Sequence, residues 1–370
     1  MDAYILAATR TPIGKRDGVL SHIRPDILSA ENLKAVVDSA GVPASEVEDV
    51  VMGCVTQTGE QALDVARLAV LSAGFPMSVP GTTVNRLCGS SLQAVNFAAQ
   101  AVASGAMDVA IGAGVESMSR CPMGSDGGSF SDAVLDRFDV IPQGLSAELM
   151  VTKWGITRNE LDTLALESHR RALAATESGR FAKEIHAVDG VTTDEGPRAG
   201  STLEKLATLR PAFKDDGAIT AASSSQISDG AAAVLLANAN AIERLGAKPR
   251  ARIKSMAVVG SCPTLMLTGP IEATNRALAK AGMTIDDIDV FEVNEAFGVV
   301  PLVWSRETGG DLDKTNVNGG AIALGHPLGC SGARLVTTLL NEMERRDANT
   351  GLATLCIGWG MAIATIIERV

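Results

Sequence analysis

The sequence predicts an α/β protein with a mostly parallel sheet, built from two halves of similar design. Three observations predict it. Short apolar runs alternate with segments of helical period, the pattern of strand–helix–strand units. Hydrophobic residues make up 46% of the 370 while aromatics are only 3%, and there are 37 glycines, a composition suited to small aliphatic side chains packed between helices and strands. The order of elements near the start also returns near the end.

Residues 4–9 read as a short buried strand and 10–14 as a loop. Asp26 to Ala40 has helical spacing and stops at Gly41, and Val47 to Val55 is the next strand. Glu60 to Ala73 reads as a second helix closed by Gly74. A strand at Thr82–Val84 leads into Asn85–Ser91 and then a helix, LQAVNFAAQAVASG, that is apolar on most sides and therefore buried. Asp108 to Gly114 follows as an apolar strand. From Ser119 to Pro211 the texture turns polar and irregular, with helices expected around Ser146–Trp154 and Arg158–Ser178. Regular α/β texture resumes at Ala218. The division expected is therefore a first half at 1–118 plus 212–246, an inserted region at 119–211 and a second half at 247–370.

The second half repeats the first in outline. Leu33–Gly53 can be laid over Thr274–Asn294, each a helix, an Ala-Gly stop, an acidic turn and a strand. Both halves then have a loop with Gly and Cys that opens a helix, followed by a strand that ends in G-x-G, at Gly112–Gly114 and Gly358–Gly360. Identity is low, and chance likeness between two α/β units is the alternative; the matching order favours internal duplication.

Composition narrows the partners. The net charge of −11, from 32 basic and 43 acidic residues, argues against nucleic acid or an anionic membrane. No run of 18 apolar residues suggests a membrane span, and the start MDAYILAATRTPIG lacks the basic region of a secretory signal. Six cysteines with no CxxC pair make neither a disulfide nor a zinc framework, so a reducing cytoplasm is expected. No acidic cluster has metal spacing, and the glycine runs match neither a P-loop nor a dinucleotide fingerprint.

The stretch Asn316–Arg334, NVNGGAIALGHPLGCSGAR, is dense in glycine and reads as a site loop feeding a helix. His326 within it is a candidate general base, although a lone loop histidine is more often structural. Cys88 sits at a strand-to-helix junction, where free N–H groups and the helix dipole are expected to lower a thiol pKa; the alternative is a small buried hydrophobe. Cys356 ends the strand LATLCIG, ahead of glycines able to offer N–H groups to an oxyanion, and is otherwise a buried strand residue. Asn294 ends the strand DIDVFEV, where its amide could position a water or cap a helix. His169 and His186 are expected to be solvated.

Taken together, NRLCGSSLQAV (Asn85–Val95), SSQISDGAAAVLL (Ser224–Leu236), NEAF (Asn294–Phe297), the Asn316–Leu335 stretch and CIGWGMAIATIIERV (Cys356–Val370) resemble the thiolase family over nearly the whole chain. The resemblance implies a five-layer αβαβα fold from two duplicated halves with an inserted loop domain. It implies Cys88 as the acyl-accepting nucleophile, His326 as the base that activates it and Cys356 as the acid/base at the carbanion. Asn294 would hold a water that, with His326, stabilises the enolate oxygen. The N–H groups of Cys88 and Gly358 would form the acyl oxyanion hole, and Ser225 would lie near the pantetheine arm of coenzyme A. The implied partners are acyl-CoA and CoA, a second copy of the chain as a dimer or dimer of dimers, and a hydratase/dehydrogenase of β-oxidation. No metal and no cofactor beyond CoA as substrate is implied.

CGSS, GHPLGCSGAR and the last strand are more similar to degradative 3-ketoacyl-CoA thiolases than to the biosynthetic acetoacetyl-CoA type. The alternatives are that biosynthetic enzyme, a non-catalytic acyl-CoA or sterol-carrier-like binding protein, and a cysteine hydrolase. Two positions depart from the family pattern: Gln143 opens QGLSAE where MGxTAE is usual, and Trp359 stands where Gly is most frequent. If the backbone there needs a positive φ, a tryptophan strains it.

Overall fold

The structure, a computed structural model, describes residues 2–370. The chain runs β1 (Tyr4–Arg10), β2 (Gly14–Lys15), α1 (Pro25–Ala40), β3 (Asp49–Gly53), α2 (Val65–Ser72), β4 (Gly81–Val84), α3 (Ser90–Ser104) and β5 (Val109–Ser117). The excursion carries α4 (Asp132–Leu135), α5 (Gln143–Trp154), α6 (Arg158–Glu177) and α7 (Leu203–Ala207). Then come β6 (Ser228–Ala237), α8 (Ala239–Leu245), β7 (Ala251–Gly260), α9 (Gly269–Ala281), β8 (Val290–Val293), α10 (Val299–Thr308), α11 (Ala321–Leu324), α12 (Ser331–Arg346), β9 (Thr350–Ile357) and β10 (Met361–Arg369).

The strands form one ladder in the order β4-β3-β5-β6-β1-β7-β10-β9-β8, with β2 on β6. Its centre is the antiparallel join of β1 to β7 at Tyr4↔Arg252 and Ile5↔Ala251. Read outward from that join, β1-β6-β5-β3-β4 matches β7-β10-β9-β8, and a parallel bridge from Phe291 to Thr315 stands where β4 stands in the first half. The two halves thus share one topology, as duplication requires.

The sheet corrects two expectations. It is not mostly parallel: only β3–β4, β3–β5 and β8–β9 are parallel, and the other pairings are antiparallel. β9 and β10 form a hairpin and β6 returns from the excursion, and alternation in a sequence carries no strand direction. The two G-x-G runs are also not equivalent. Gly112 and Gly114 lie inside β5, whereas Gly358–Gly360 make the turn after β9. The expected helix Glu60–Ala73 is likewise broken, because Leu63 and Asp64 take φ of 58° and 67° and only Val65–Ser72 is α-helical.

Alternate residues of each strand face opposite layers. Val50, Ile111 and Leu235 pack against Leu33 and Val36 of α1 and Val65 and Ala69 of α2. Ala110, Val234 and Leu236 face the other way, onto Leu92 and Val95 of α3 and Val336 and Leu340 of α12; Leu355 and Ile363 of the second half close on the same helices. The opposite face of the second half, with Leu352, Ala364 and Ile366, is covered by Ala273 of α9 and Val303 and Trp304 of α10. Helix, sheet, helix pair, sheet and helix make five layers.

The middle layer is tight because its contacts are made by glycine. A methyl group on Gly53 would lie 2.3 Å from Ser91 N, one on Gly112 would lie 2.4 Å from Val95 Cα, and one on Gly332 would lie 2.2 Å from Leu92 N. These are backbone atoms that no rotamer change can move. Gly332→Ala is therefore expected to force α3 and α12 apart and cost about 3 kcal/mol, read as a lower urea midpoint. A midpoint within experimental error of the parent would show that the helix pair can separate freely.

The excursion is bolted to the layers by buried charge. Arg10 Nε lies 2.6 Å from Glu184 and its Nη1 lies 2.7 Å from Asp194, with all three side chains buried. Glu184 also accepts from Thr338 Oγ1 of α12 at 3.1 Å. His169 is buried rather than solvated, and its Nδ1 accepts the Arg198 N–H at 3.1 Å, because α6 packs its face onto the second half. His186 is partly exposed, as expected. Among the described residues no helix is long and apolar enough to cross a membrane.

Candidate active site

The nucleophile candidate is placed by a strained turn. After β4, Leu87 takes a φ of 47°, a left-handed conformation that costs a leucine roughly 1–2 kcal/mol. Local hydrogen bonds hold it: Asn85 Oδ1 accepts the Leu87 N–H at 2.8 Å, and Asn85 Nδ2 donates to Val55 O at 3.0 Å. Ser90 Oγ accepts the Arg86 N–H at 2.9 Å and donates to Leu87 O at 2.6 Å. The turn delivers Cys88 just before α3, buried in an apolar cluster with Val55, Met118 and Leu328.

That burial reverses the expected direction of its acidity. Desolvation pushes the Cys88 thiol up to about 11, outweighing the opposite pull of the Gly358 and Cys88 N–H groups and the Gln143 amide. Burial also raises the Cys356 thiol, and the neighbouring Cys88 sulfur adds to the rise. Both sulfurs are thus thiols in the resting site.

His326 arrives from the second half, 4% exposed. Its main chain is pinned by donation to Gln226 O at 3.1 Å. Ser331 Oγ lies 2.6 Å from His326 Nδ1 and donates its own proton to Pro327 O at 2.8 Å. With that hydroxyl proton committed, Nδ1 must be the protonated nitrogen and donate to Ser331, which leaves Nε2 as an acceptor. Burial, with Arg334 second, pulls its pKa down to about 3, so the ring is neutral. Asn294 Nδ2 lies 3.3 Å from that Nε2, while its Oδ1 makes no hydrogen bond within the described residues. Asn294 is set by the end of β8, where its N–H donates to Thr354 O at 3.0 Å.

Bracing below the site comes from two buried carboxylates. Glu116 accepts from the N–H groups of Val55, Thr56 and Gly329 at 3.0, 3.0 and 2.8 Å, tying the Cys88 side to the His326 loop. Glu295 accepts from Ser168 Oγ at 2.7 Å, Asn316 Nδ2 at 2.9 Å and Ile322 N at 3.1 Å. Ser225 is half-buried, and its N–H donates to Ala296 O at 3.0 Å, beside the Asn294–Phe297 turn.

Gly358 lies near enough for its N–H to lower the Cys88 pKa, and the following Trp359 takes a φ of 60°. The strain expected of a tryptophan there is real. Its ring, half exposed, meets Phe130 edge-on at 5.5 Å. Cys88, Cys356, Gly358, His326 and Asn294 thus come from both halves to one region. Two further members, Ser331 and Gln143, were not singled out for chemistry. Ser331 had no signal beyond its place in the loop; Gln143 had one, its departure from the usual Met.

Two family models divide the chain between them. One, described as thiolase, N-terminal domain, matches residues 3–240, and the other, thiolase, C-terminal domain, matches 247–369. The chain belongs to the thiolase family. Among curated relatives, this thiolase is 46% identical to a steroid 3-ketoacyl-CoA thiolase of Mycobacterium tuberculosis, over 100% of this chain and 94% of that protein. It is 48% identical to a 3-ketoacyl-CoA thiolase of Klebsiella pneumoniae, over 99% of each. Its fold matches a crystal structure of the Bacillus anthracis acetyl-CoA acetyltransferase with a TM-score of 0.91 at 37% identity, covering 100% of this chain and 99% of that one.

Proposed function

We propose that this thiolase cleaves 3-ketoacyl-CoA with CoA, giving acetyl-CoA and a shortened acyl-CoA through an acyl group on Cys88, as a step of β-oxidation. What supports the reading most directly is that two buried thiols, Cys88 and Cys356, lie close enough that a charge on the first raises the pKa of the second. A hydrolase needs one nucleophile; two acid–base thiols suit a reaction that moves an acyl group and a proton separately.

The steps balance with these groups alone. His326 Nε2 takes the Cys88 proton, and the thiolate attacks the 3-keto carbon while the N–H groups of Cys88 and Gly358 hold the oxyanion. The C2–C3 bond breaks, its electron pair passes to C2, and Cys356 gives C2 its proton. Asn294, through a water accepted at its free Oδ1, and His326 stabilise the enolate oxygen in that step. Cys356 thiolate then takes the proton of CoA, the CoA sulfur attacks the acyl carbon, and Cys88 leaves and recovers its proton from His326. CoA is the only co-substrate needed.

Ser225 fits a place along the pantetheine arm. Arg198 and Arg210, exposed on the excursion, and Lys214 just after it offer local positive charge for the CoA phosphates despite the acidic chain. A dimer or dimer of dimers is favoured because β4 ends the sheet while Leu63 and Met77 stand 90% and 86% exposed. Six free cysteines fit a reducing cytoplasm, where a hydratase/dehydrogenase of the same pathway would supply the 3-keto substrate.

The second reading is condensation of two acetyl-CoA, which the curated relatives, named as 3-ketoacyl-CoA thiolases, do not favour. Initial rates over a series of 3-ketoacyl-CoA lengths, with CoA varied, separate the two. Parallel double-reciprocal lines and a preference for chains longer than acetoacetyl-CoA are expected. A strong preference for acetoacetyl-CoA supports condensation, and turnover that ignores CoA overturns both.

A further inference from the structure

The turn after β9 holds a large side chain in a backbone that suits glycine. Trp359 takes a φ of 60°, and its ring is left 50% exposed. The turn is nonetheless firmly held: the Trp359 N–H donates to Met266 Sδ at 3.4 Å, and Gly360 O accepts the Ser261 N–H at 2.7 Å. It also lies against the turn that carries the nucleophile, since a methyl group on Gly358 would fall 3.1 Å from Leu87 Cδ1, one residue before Cys88. Across from it, Phe130 of the excursion meets the Trp359 ring edge-on with centroids 5.5 Å apart, and is itself 42% exposed. The loop at 261–266 anchors this part of the excursion too, because Thr264 Oγ1 donates to Asp139 O at 2.8 Å. Val134, Leu135 and Phe138 of the same part are also exposed. Backbone strain and bare aromatic surface, together beside a reacting sulfur, mark a surface that a ligand covers.

We propose that Trp359 and Phe130 form a wall for the acyl tail of the substrate, so that this thiolase selects 3-ketoacyl-CoA with an apolar tail well beyond acetoacetyl in length. The inference rests on the thiolytic reading of the site and adds the end of the substrate that the reacting groups do not touch. With C3 on the Cys88 sulfur, the rest of the chain starts beside the contact of Leu87 with Gly358, and Trp359 is the next side chain along. An acetoacetyl substrate stops at a methyl beyond C3, too short to cover two rings. The occupant is the acyl end rather than the nucleotide end of CoA. Residues 121–142 carry Asp126, Asp132, Asp136 and Asp139 against Arg137 alone, a surface that repels phosphates. Arg137 itself lies over the Phe138 ring, 5.3 Å from its centroid. Covering the two rings with methylenes removes apolar surface of both partners from water, and the gain grows with each carbon that reaches the wall. A glycine at 359 would offer no such surface.

The test is kcat/KM for 3-ketodecanoyl-CoA divided by that for acetoacetyl-CoA, measured in the full-length parent, Trp359→Ala, Trp359→Phe and Phe130→Ala. The ratio is expected to fall about tenfold in Trp359→Ala and about fivefold in Phe130→Ala, and Trp359→Phe should recover most of the loss. Dividing by the short substrate removes damage common to both, including any shift of the Gly358 N–H. Phe130→Ala changes nothing in the turn after β9 itself, which keeps the test open if Trp359→Ala fails to fold. A ratio within about twofold of the parent in the folded variants overturns this inference alone. So does a ratio that rises, because the rings would then block the tail, and so does a parent that cleaves acetoacetyl-CoA but not the longer substrate. A parent that cleaves neither overturns the thiolytic reading and this inference with it.

Discussion

Cys88→Ala is expected to lose acyl transfer altogether, with turnover down at least about 10⁴-fold and no acetyl adduct after treatment with acetyl-CoA. The fold should survive, because alanine removes one sulfur from the small cluster of Val55, Met118 and Leu328 and leaves the hydrogen bonds of the Leu87 turn intact. Circular dichroism and thermal melting are the controls, and mass spectrometry of the intact protein gives the decisive readout. In the parent, burial holds the thiol at about 11 and His326 at about 3, so the resting pair is neutral thiol and neutral imidazole rather than an ion pair. Alkylation of the parent should accordingly keep rising through alkaline pH. A plateau near neutrality would indicate a preformed thiolate–imidazolium pair and would contradict the neutral resting site. Retained turnover in Cys88→Ala would remove the acyl-enzyme from the mechanism.

His326→Asn is expected to lower kcat about 10³-fold, since it removes the imidazole lone pair that lies beside Asn294. It carries a second, independent readout. The folded-state pKa of His326 lies below its unfolded value of 6.5, so the stabilisation it implies is fully present above pH 6.5 and is lost as pH falls toward about 3. Removing the imidazole should therefore flatten the acid side of the stability–pH curve while lowering activity at every pH. Thermal melts across that range check the sign. A variant with unchanged kcat would sink the base assignment, whatever the melts show.

The residues of the candidate site were easier to single out from the sequence than the direction of the strands. Cys88, His326, Cys356 and Asn294 were legible because they lie in long motifs at element ends, where glycine and proline punctuate the chain. The direction of the Cys88 pKa was not legible. A strand-to-helix junction suggests exposed N–H groups, but the sulfur is buried in a cluster completed by Leu328, from the other half of the chain. The parallel bias misled for a similar reason. β6 pairs with β1 and β5 across the intervening excursion, and its direction is set by that path rather than by its own apolar run. His169 looked solvated on a polar helix, and only the fold of Arg198 back onto it gives its ring a partner. Gln143 was visible as a departure from a pattern, and it took the packing of α5 to bring its amide beside Gly358.

The shared helix layer has a consequence for how the protein is made. α12 begins at Ser331, yet it covers side chains of β1, β5 and β6, which are complete once residue 237 has emerged. On a ribosome adding roughly 5–20 residues per second, the apolar face of the first half waits several seconds for its lid. During that interval Val234 and Leu236 have only α3 to cover them. A nascent chain stalled before α12 is thus a sticky intermediate, and the vulnerable moment for aggregation lies late in translation, after most of the molecule has already taken shape.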